Sequence, residues 1–267
     1  GCKYIFHIAS PFPMKVSRNR ESLLPPAVDG TLRVLKAGVN AGVEQIIKTS
    51  SIVAMFRKPN RSNPYTFGEN DWTDENWIEG VSDYFLSKTR AERTAWEFMQ
   101  SKGLKNKLTT INPGGVFGDA LDKKGGTSIE YVRQFLKGKF PAAPKFAVLI
   151  SDVKDVAKSH VACIGNKKVG GRRLIIGKEV KKLVELSQIM AEAMPEYAKK
   201  VPKKELPNFM VKLISYIDSS AKTMIPDLGI MMQTDSTYAE ELLGLKFKGA
   251  KDCISENARS VVKLGLV

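Results

Sequence analysis

The sequence predicts an α/β protein built on a doubly wound parallel sheet, with a smaller and mainly helical C-terminal part. Three observations predict it. Short β-rich runs at 4–9, 43–51 and 108–111 alternate with helical periodicity at 27–39 and from Ser82 to Phe98. The run Tyr4-Ile5-Phe6-His7-Ile8-Ala9 is almost wholly apolar, the pattern of a strand buried on both faces rather than one. Finally, 267 residues with 43% hydrophobic content suffice for one large core or two modest ones. Strands separated by single helices pair in parallel, because each crossover returns the chain to the same end of the sheet.

The elements follow in order. The first strand stops at a proline-marked loop beginning Ser10-Pro11, and its His7 reads as a packed strand histidine rather than a ligand. The helix at 27–39 places Val28, Leu32, Leu35 and Val39 on one face, and Gly42 marks its end. The strand at 43–51 ends in the hydroxyls of Thr49, Ser50 and Ser51. Segment 57–80, rich in Asn, Pro, Asp and Trp, has the length of loops that often border functional pockets. Trp72 and Trp77 are its candidate walls, or anchors onto the core. After the helix to Phe98, the strand at 108–111 is broken by Pro113-Gly114, and a turn runs through Gly118. Beyond it the pattern predicts a helix at 129–136, a strand at 146–150 and a helix at 153–163, with Asp152 and Asp155 as helix caps. A strand at 173–176 is expected to rejoin the main sheet, and the remainder reads as helical, punctuated by Pro195, Pro202, Pro207 and Pro226.

Bulk properties narrow the function classes. No apolar run is long enough to span a bilayer, and no charged-then-apolar leader opens the sequence. Cys2, Cys163 and Cys253 are scattered and lack metal-ligand spacing, so no metal is expected and a reducing, cytoplasmic setting fits them. The net charge of +14 raises the question of a nucleic-acid partner. Its lysines are dispersed, as in Lys167-Lys168 and Lys199-Lys200, and no nucleic-acid-binding signature accompanies them. A solvated basic surface with no specific nucleic-acid partner is the expectation.

Tyr84 and Lys88 carry the chemistry. Four residues apart on a helix, they project from one face on successive turns. An ammonium there is expected to pull the phenol down from about 10 and make Tyr84 a general acid for an oxygen that has received a hydride. Tyr-x-x-x-Lys alone is common. Combined with strand-end hydroxyls before it and Asn112-Pro113-Gly114 after it, the set is specific.

This combination resembles the extended short-chain dehydrogenases/reductases, and within them the dihydroflavonol reductase-like aldehyde and ketone reductases. The likeness runs over essentially all 267 residues. It includes Phe6-His7-Ile8-Ala9-Ser10-Pro11, Pro26 to Thr31, Thr49-Ser50-Ser51, Tyr84-x-x-Ser87-Lys88-x-x-Ala91-Glu92, Ile111 to Gly114, Ser151 to Ala157, Leu206-Pro207 and Glu241 to Gly244. The resemblance implies a Rossmann-type dinucleotide-binding domain at 1–118 and a substrate-binding part at 119–267. By it, Ser51 holds the substrate oxygen, with Ser50 as the alternative in the doublet. Tyr84 delivers the proton, and Lys88 lowers the tyrosine and binds the nicotinamide ribose. Ala9, Ser10 and Pro11 would line the cofactor, and Pro113, Gly114 and Val116 would flank the nicotinamide.

NADP(H) is the expected cofactor, with NAD not excluded, and a small-molecule carbonyl compound is the expected substrate. Monomer and homodimer both stay open. The family's opening Gly-x-x-Gly-x-x-Gly loop has no counterpart here, so an N-terminally truncated, aggregation-prone and inactive fragment is expected. The surroundings of Tyr84 lack the Asn-Trp-x-x-x-Tyr context of plant cinnamoyl-CoA reductases, which argues against that substrate. The competing readings are a nucleotide-sugar epimerase or hydroxysteroid dehydrogenase with the same trio, and a non-catalytic cofactor-sensing or nucleic-acid-associated relative.

Overall fold

A computed structural model describes residues 1–10, 21–123 and 126–267. In chain order its first part holds β1 (Tyr4–His7), α1 (Leu24–Asn40), β2 (Gln45–Thr49), β3 (Tyr65–Phe67), α2 (Asp83–Ser101), β4 (Leu108–Pro113) and β5 (Gly115–Phe117). The middle holds α3 (Thr127–Leu136), β6 (Ala143–Pro144), β7 (Ala147–Asp152), α4 (Val153–Ala162), β8 (Arg173–Ile176), β9 (Glu179–Lys182) and α5 (Leu183–Ala193). Then follow β10 (Glu205–Leu206), α6 (Asn208–Ile214), α7 (Ser219–Met224), β11 (Met232–Thr234), α8 (Thr237–Leu243) and α9 (Ala250–Lys263).

The main sheet has the order β1-β2-β4-β8, every pair parallel. Strand order rises along the chain, as in one half of a doubly wound sheet. Side-chain alternation sends neighbouring residues to opposite faces, so both faces must be covered. On one face Ile46 and Leu108 pack against Leu35 of α1 and Ala95 and Met99 of α2. On the other, Ile47, Ile111, Leu174 and Ile176 pack with Cys163 beyond α4 and with Ala239 and Leu243 of α8. Each such large apolar side chain contributes about 1.5–3 kcal/mol on burial. No described helix is long and apolar enough to cross a membrane.

Helix α2, which bears Tyr84 and Lys88, is fixed at both ends by its own sequence. Ser82 caps α2, its side chain accepting from the Phe85 N–H, and Asp83 sits in the first turn where the helix dipole favours an anion. At the other end Gly103 takes φ +68, a left-handed conformation that stops the helix.

A second, three-stranded sheet, β5-β7-β9, joins the last strand of the first part to two strands of the C-terminal part, and beside it lies a core in which Val132, Phe135, Leu186, Met190, Ile254 and Val261 meet. The C-terminal part contains more strand than expected. The run Glu179-Val180-Lys181-Lys182 reads as polar, yet it pairs antiparallel with β7. Segment 57–80 is likewise not a free loop. Its Tyr65-Thr66-Phe67 alternates buried, exposed and buried, and pairs in parallel with β11. Trp72 and Trp77 are anchors: Trp72 lies under the Arg173 guanidinium at 3.7 Å and Arg93 at 4.5 Å. Trp77 lies so close to Gly80 that a β-carbon there would sit 2.2 Å from its ring.

Asp152 caps α4 by accepting from the Lys154 N–H at 2.8 Å. Asp155 corrects the cap expectation. It lies inside α4 and instead accepts the Lys248 backbone N–H at 2.6 Å, fastening the chain ahead of α9.

Candidate active site

Ser51 lies two residues past the end of β2 and caps a short 3₁₀ turn, its side chain accepting from the Val53 N–H. Its hydroxyl reaches the Pro113 carbonyl at 3.4 Å, at the end of β4. Tyr84, in the first turn of α2, shares a hydrogen bond with Ser51. One turn on, the Lys88 ammonium lies 5.7 Å from the centre of the Tyr84 ring. Serine, tyrosine and lysine thus meet at the carboxyl ends of β2 and β4, where ligands bind in open α/β sheets. The neighbouring serine faces elsewhere: Ser50 donates to Glu92 at 2.5 Å.

Burial, rather than Lys88, dominates the phenol. It pushes Tyr84 up to about 12, against the smaller opposite pull of the Ser51 hydrogen bond. The expectation of a phenol lowered by Lys88 is therefore corrected: Tyr84 is held protonated, as a proton donor requires. Lys88 moves the other way, down to about 8, chiefly through burial and secondly through the charge of Lys48.

Beneath this trio lies a carboxylate hub, centred on a residue whose role its place in the Tyr84 motif does not reveal. Glu92, one turn beyond Lys88, is fully buried. It accepts from Ser50, from Asn112 at 2.8 Å, from Thr110 at 3.1 Å, from Trp96 at 3.2 Å and from Arg173 at 2.6 Å. Arg173 and these hydrogen bonds hold its pKa below the usual carboxylate range despite the opposing effect of burial. The Asn112 amide also donates to the Ser51 carbonyl at 3.2 Å, so the hub fixes the backbone of the site serine. The signal for Glu92 was a carboxylate two turns from Tyr84 on the face of the helix that Tyr84 and Lys88 share. The signal for Lys48 was a lysine inside a buried parallel strand.

The N-terminus of the same helix is tied to the C-terminal part. Arg57, 1% exposed, pairs with buried Asp227 and donates to the carbonyls of Gly80 and Thr223, both at 2.9 Å. Its guanidinium stacks 3.6 Å from the Phe85 ring, adjacent to Tyr84.

The expected cofactor contacts fall as follows. Ala9 and Ser10 lie just past β1, exposed and half-buried respectively, while Pro11 lies outside the described residues. Pro113 closes β4 and Val116 lies in β5. Gly114 donates its N–H to Ser151 at 2.8 Å, and a β-carbon there would meet the Leu149 carbonyl oxygen at 2.2 Å. Only glycine fits that approach. His7 sits at the end of β1 and is driven down to about 4 by burial and by the charges of Lys48 and Lys88. Lys88 forms neither a hydrogen bond nor an ion pair among the described residues, although it is 8% exposed. Its three N–H donors suit the hydroxyls of a nicotinamide ribose.

A parallel α/β sheet with serine, tyrosine and lysine gathered at its strand ends defines the class: a Rossmann-type short-chain dehydrogenase/reductase. The profile of the 3-beta hydroxysteroid dehydrogenase/isomerase family matches residues 1–165. The chain belongs to that family, and its relatives are dihydroflavonol reductase-like enzymes. The NADPH-dependent methylglyoxal reductase GRE2 of Saccharomyces cerevisiae is 30% identical over 280 residues, covering 98% of this chain and 77% of that protein. Cinnamoyl-CoA reductase 2 of Arabidopsis thaliana is 28% identical over 266 residues, 99% of this chain and 72% of that one. The crystal structure of the yeast methylglyoxal/isovaleraldehyde reductase with NADPH superposes with a TM-score of 0.77 at 26% identity, over 98% of this chain and 77% of that one.

Proposed function

We propose that this protein reduces the carbonyl group of a small aldehyde or ketone to an alcohol, with Ser51, Tyr84 and Lys88 as its catalytic residues. The bound cofactor, NADPH, supplies the hydride to the carbonyl carbon. Ser51 holds the carbonyl oxygen, and Tyr84 donates its phenolic proton to that oxygen as negative charge develops there. Lys88 binds the ribose and, as a cation, stabilises the phenolate left on Tyr84. Ala9, Ser10, Pro113, Gly114 and Val116 border the cofactor, and the part beyond Gly118 shapes the substrate site. The observation that carries this reading is the Ser51–Tyr84 hydrogen bond beside a buried lysine with no acceptor among the described residues.

The relatives' substrates set the trial panel of methylglyoxal and isovaleraldehyde, to which benzaldehyde is added. An epimerase is not favoured, because the relatives covering nearly the whole chain are reductases. Cys163 and Cys253 are free and buried, in keeping with a reducing, cytoplasmic setting.

The test is Tyr84→Phe, assayed by loss of NADPH absorbance. Turnover should fall by about 10²–10⁴ while the fold and NADPH affinity persist. Wild-type turnover in that variant overturns the assignment.

A further inference from the structure

Helix α6 presents its apolar face outward. A surface helix normally turns its apolar stripe to the core and its polar face to water. In α6 it is Val211 that is buried and Ser215, one turn on, that is half-buried, so this edge faces the protein. The opposite face carries Phe209, Met210, Leu213 and Ile214, all exposed. The helical hydrogen bonding runs on past Ile214, with the Ser215 N–H on the Val211 carbonyl at 3.0 Å and the Asp218 N–H on that of Ile214 at 2.8 Å. It brings Tyr216, 87% exposed, and Ile217, 90% exposed, onto the same face. At 3.6 residues per turn these six side chains span an arc of roughly 160°.

The same stretch of chain is basic. Residues 199–217 hold five lysines and one carboxylate. Lys199, Lys200, Lys203 and Lys204 precede α6, Lys212 lies at the margin of its apolar face, and all five are exposed. Together with Lys137, at the end of α3, the first four line one surface cleft. From Lys204 to Asn208 the chain reaches at most about 14 Å, so cleft and helix are neighbours. The carboxylate, Glu205, is already shared between Lys182 at 3.6 Å and Lys145 at 4.0 Å.

Two occupants suit an exposed apolar face of this kind, a second copy of the chain and a lipid surface. Charge and size decide between them. A two-fold contact through α6 would bring Lys212 and the lysine cleft up to their own copies, and like charges oppose it. Six apolar side chains also fall well short of the about 20–30 residues a side of a stable interface. A bilayer with anionic headgroups satisfies both features at once. Its acyl boundary takes the apolar face, its phosphates and carboxylates take the lysines, and Phe209 and Tyr216 suit the headgroup level. We propose that α6, with the lysine cleft beside it, is a docking surface for an anionic membrane, the helix lying in the plane of the headgroups. Such attachment involves one leaflet and needs no spanning helix.

The experiment mixes the chain with vesicles of phosphatidylcholine alone, or of phosphatidylcholine carrying phosphatidylserine, and floats them through a density gradient, which leaves aggregate behind. The chain should rise with the phosphatidylserine vesicles and stay down with the others. Raising the salt from about 0.1 M to about 1 M, which shortens the Debye length from about 10 Å to about 3 Å, should release it. Leu213→Ser with Ile217→Ser should lower the partition coefficient about a hundredfold, about tenfold for each apolar side chain lost. Lys203→Gln and Lys204→Gln should each lower it about fivefold. All four positions are exposed, so the thermal unfolding midpoints should match the wild type. Absent flotation, or equal flotation with and without phosphatidylserine, overturns the proposal. So does wild-type flotation by the Leu213→Ser, Ile217→Ser variant. A chain that light scattering finds dimeric, and monomeric once those two residues are serine, also overturns it, because the face is then a contact between copies.

Discussion

One turn of α2 separates Lys88 from Glu92, and the two residues sit in opposite electrostatic surroundings. Both side chains are buried. Glu92 is answered by an arginine, an amide, two hydroxyls and an indole. Lys88 is answered by nothing among the described residues except the face of the Tyr84 ring, and besides burial it is lowered by the charge of a second lysine, Lys48. The same helix therefore carries a satisfied charge that holds β2, β4 and β8 in place and an unsatisfied one, in keeping with the ribose-binding role proposed for it. Buried charge with full partners reads as architecture, and buried charge without them reads as function. The pair Arg57–Asp227 extends the first category, since it fastens the start of α2 to the C-terminal part.

The largest effect expected from this contrast is in stability. Glu92→Ala should cost about 3–5 kcal/mol, because it strands the Arg173 guanidinium inside the sheet. Lys88→Met should keep or raise stability while losing turnover and weakening NADPH binding. Denaturant unfolding and NADPH titration of both variants test this. Equal destabilisation by the two substitutions would break the comparison.

The second effect separates two adjacent serines. Ser51→Ala removes a donor from the reacting oxygen, and loss of one such donor lowers kcat by about 10²–10³. Ser50→Ala deletes one of several bonds to Glu92, and should cost on the order of 1–2 kcal/mol of stability with turnover nearly intact. Steady-state kinetics alongside thermal unfolding would show the split. A reversal, with Ser50→Ala the inactive variant, would move the substrate oxygen to the other face of β2.

How much of this was legible follows from which residues carry local signals. The main sheet was readable because β1, β2 and β4 are short runs rich in β-branched and apolar residues between periodic helices. Strand β8 was readable for the same reason, as Arg173-Leu174-Ile175-Ile176. Strands β9 and β11 were not, because Glu179-Val180-Lys181-Lys182 and Met232-Gln233-Thr234 owe their strand form to partners distant in sequence. Tyr84, Lys88 and the serine doublet were readable as types at known spacings. The direction of the Tyr84 shift was not, because spacing gives the neighbour and only the fold gives the burial. Glu92 and Asn112 belong to the motifs that carry the family resemblance, yet their roles depend on contacts between three strands and one helix.

The smallest effect is a pH dependence, and it tests whether these two adjacent turns of α2 differ in charge balance rather than in packing alone. Lys88 sits at about 8 in the fold, below the value of about 10.4 for an unfolded lysine. Between those values the unfolded chain binds more protons than the folded one, so this group's penalty is complete below about pH 8 and fades as pH rises towards 10. The stability gained by Lys88→Met over the wild type should therefore be largest near neutrality, on the order of 2–3 kcal/mol, and shrink through that window. Glu92 behaves oppositely. Its lowered pKa keeps it ionised throughout, so the loss in Glu92→Gln should stay flat from pH 6 to 10, to within about 0.5 kcal/mol, and its stabilisation disappears only in acid. Cys163, pushed up to about 12, adds an alkaline slope of its own, and the buried Cys253 thiol is raised too. Both thiols are common to every variant, so differences between variants cancel them. Equilibrium unfolding at a series of pH values gives the two difference curves. A flat Lys88→Met curve would mean that the lysine is not held as a penalised cation, and the contrast between the two turns of α2 would then reduce to packing.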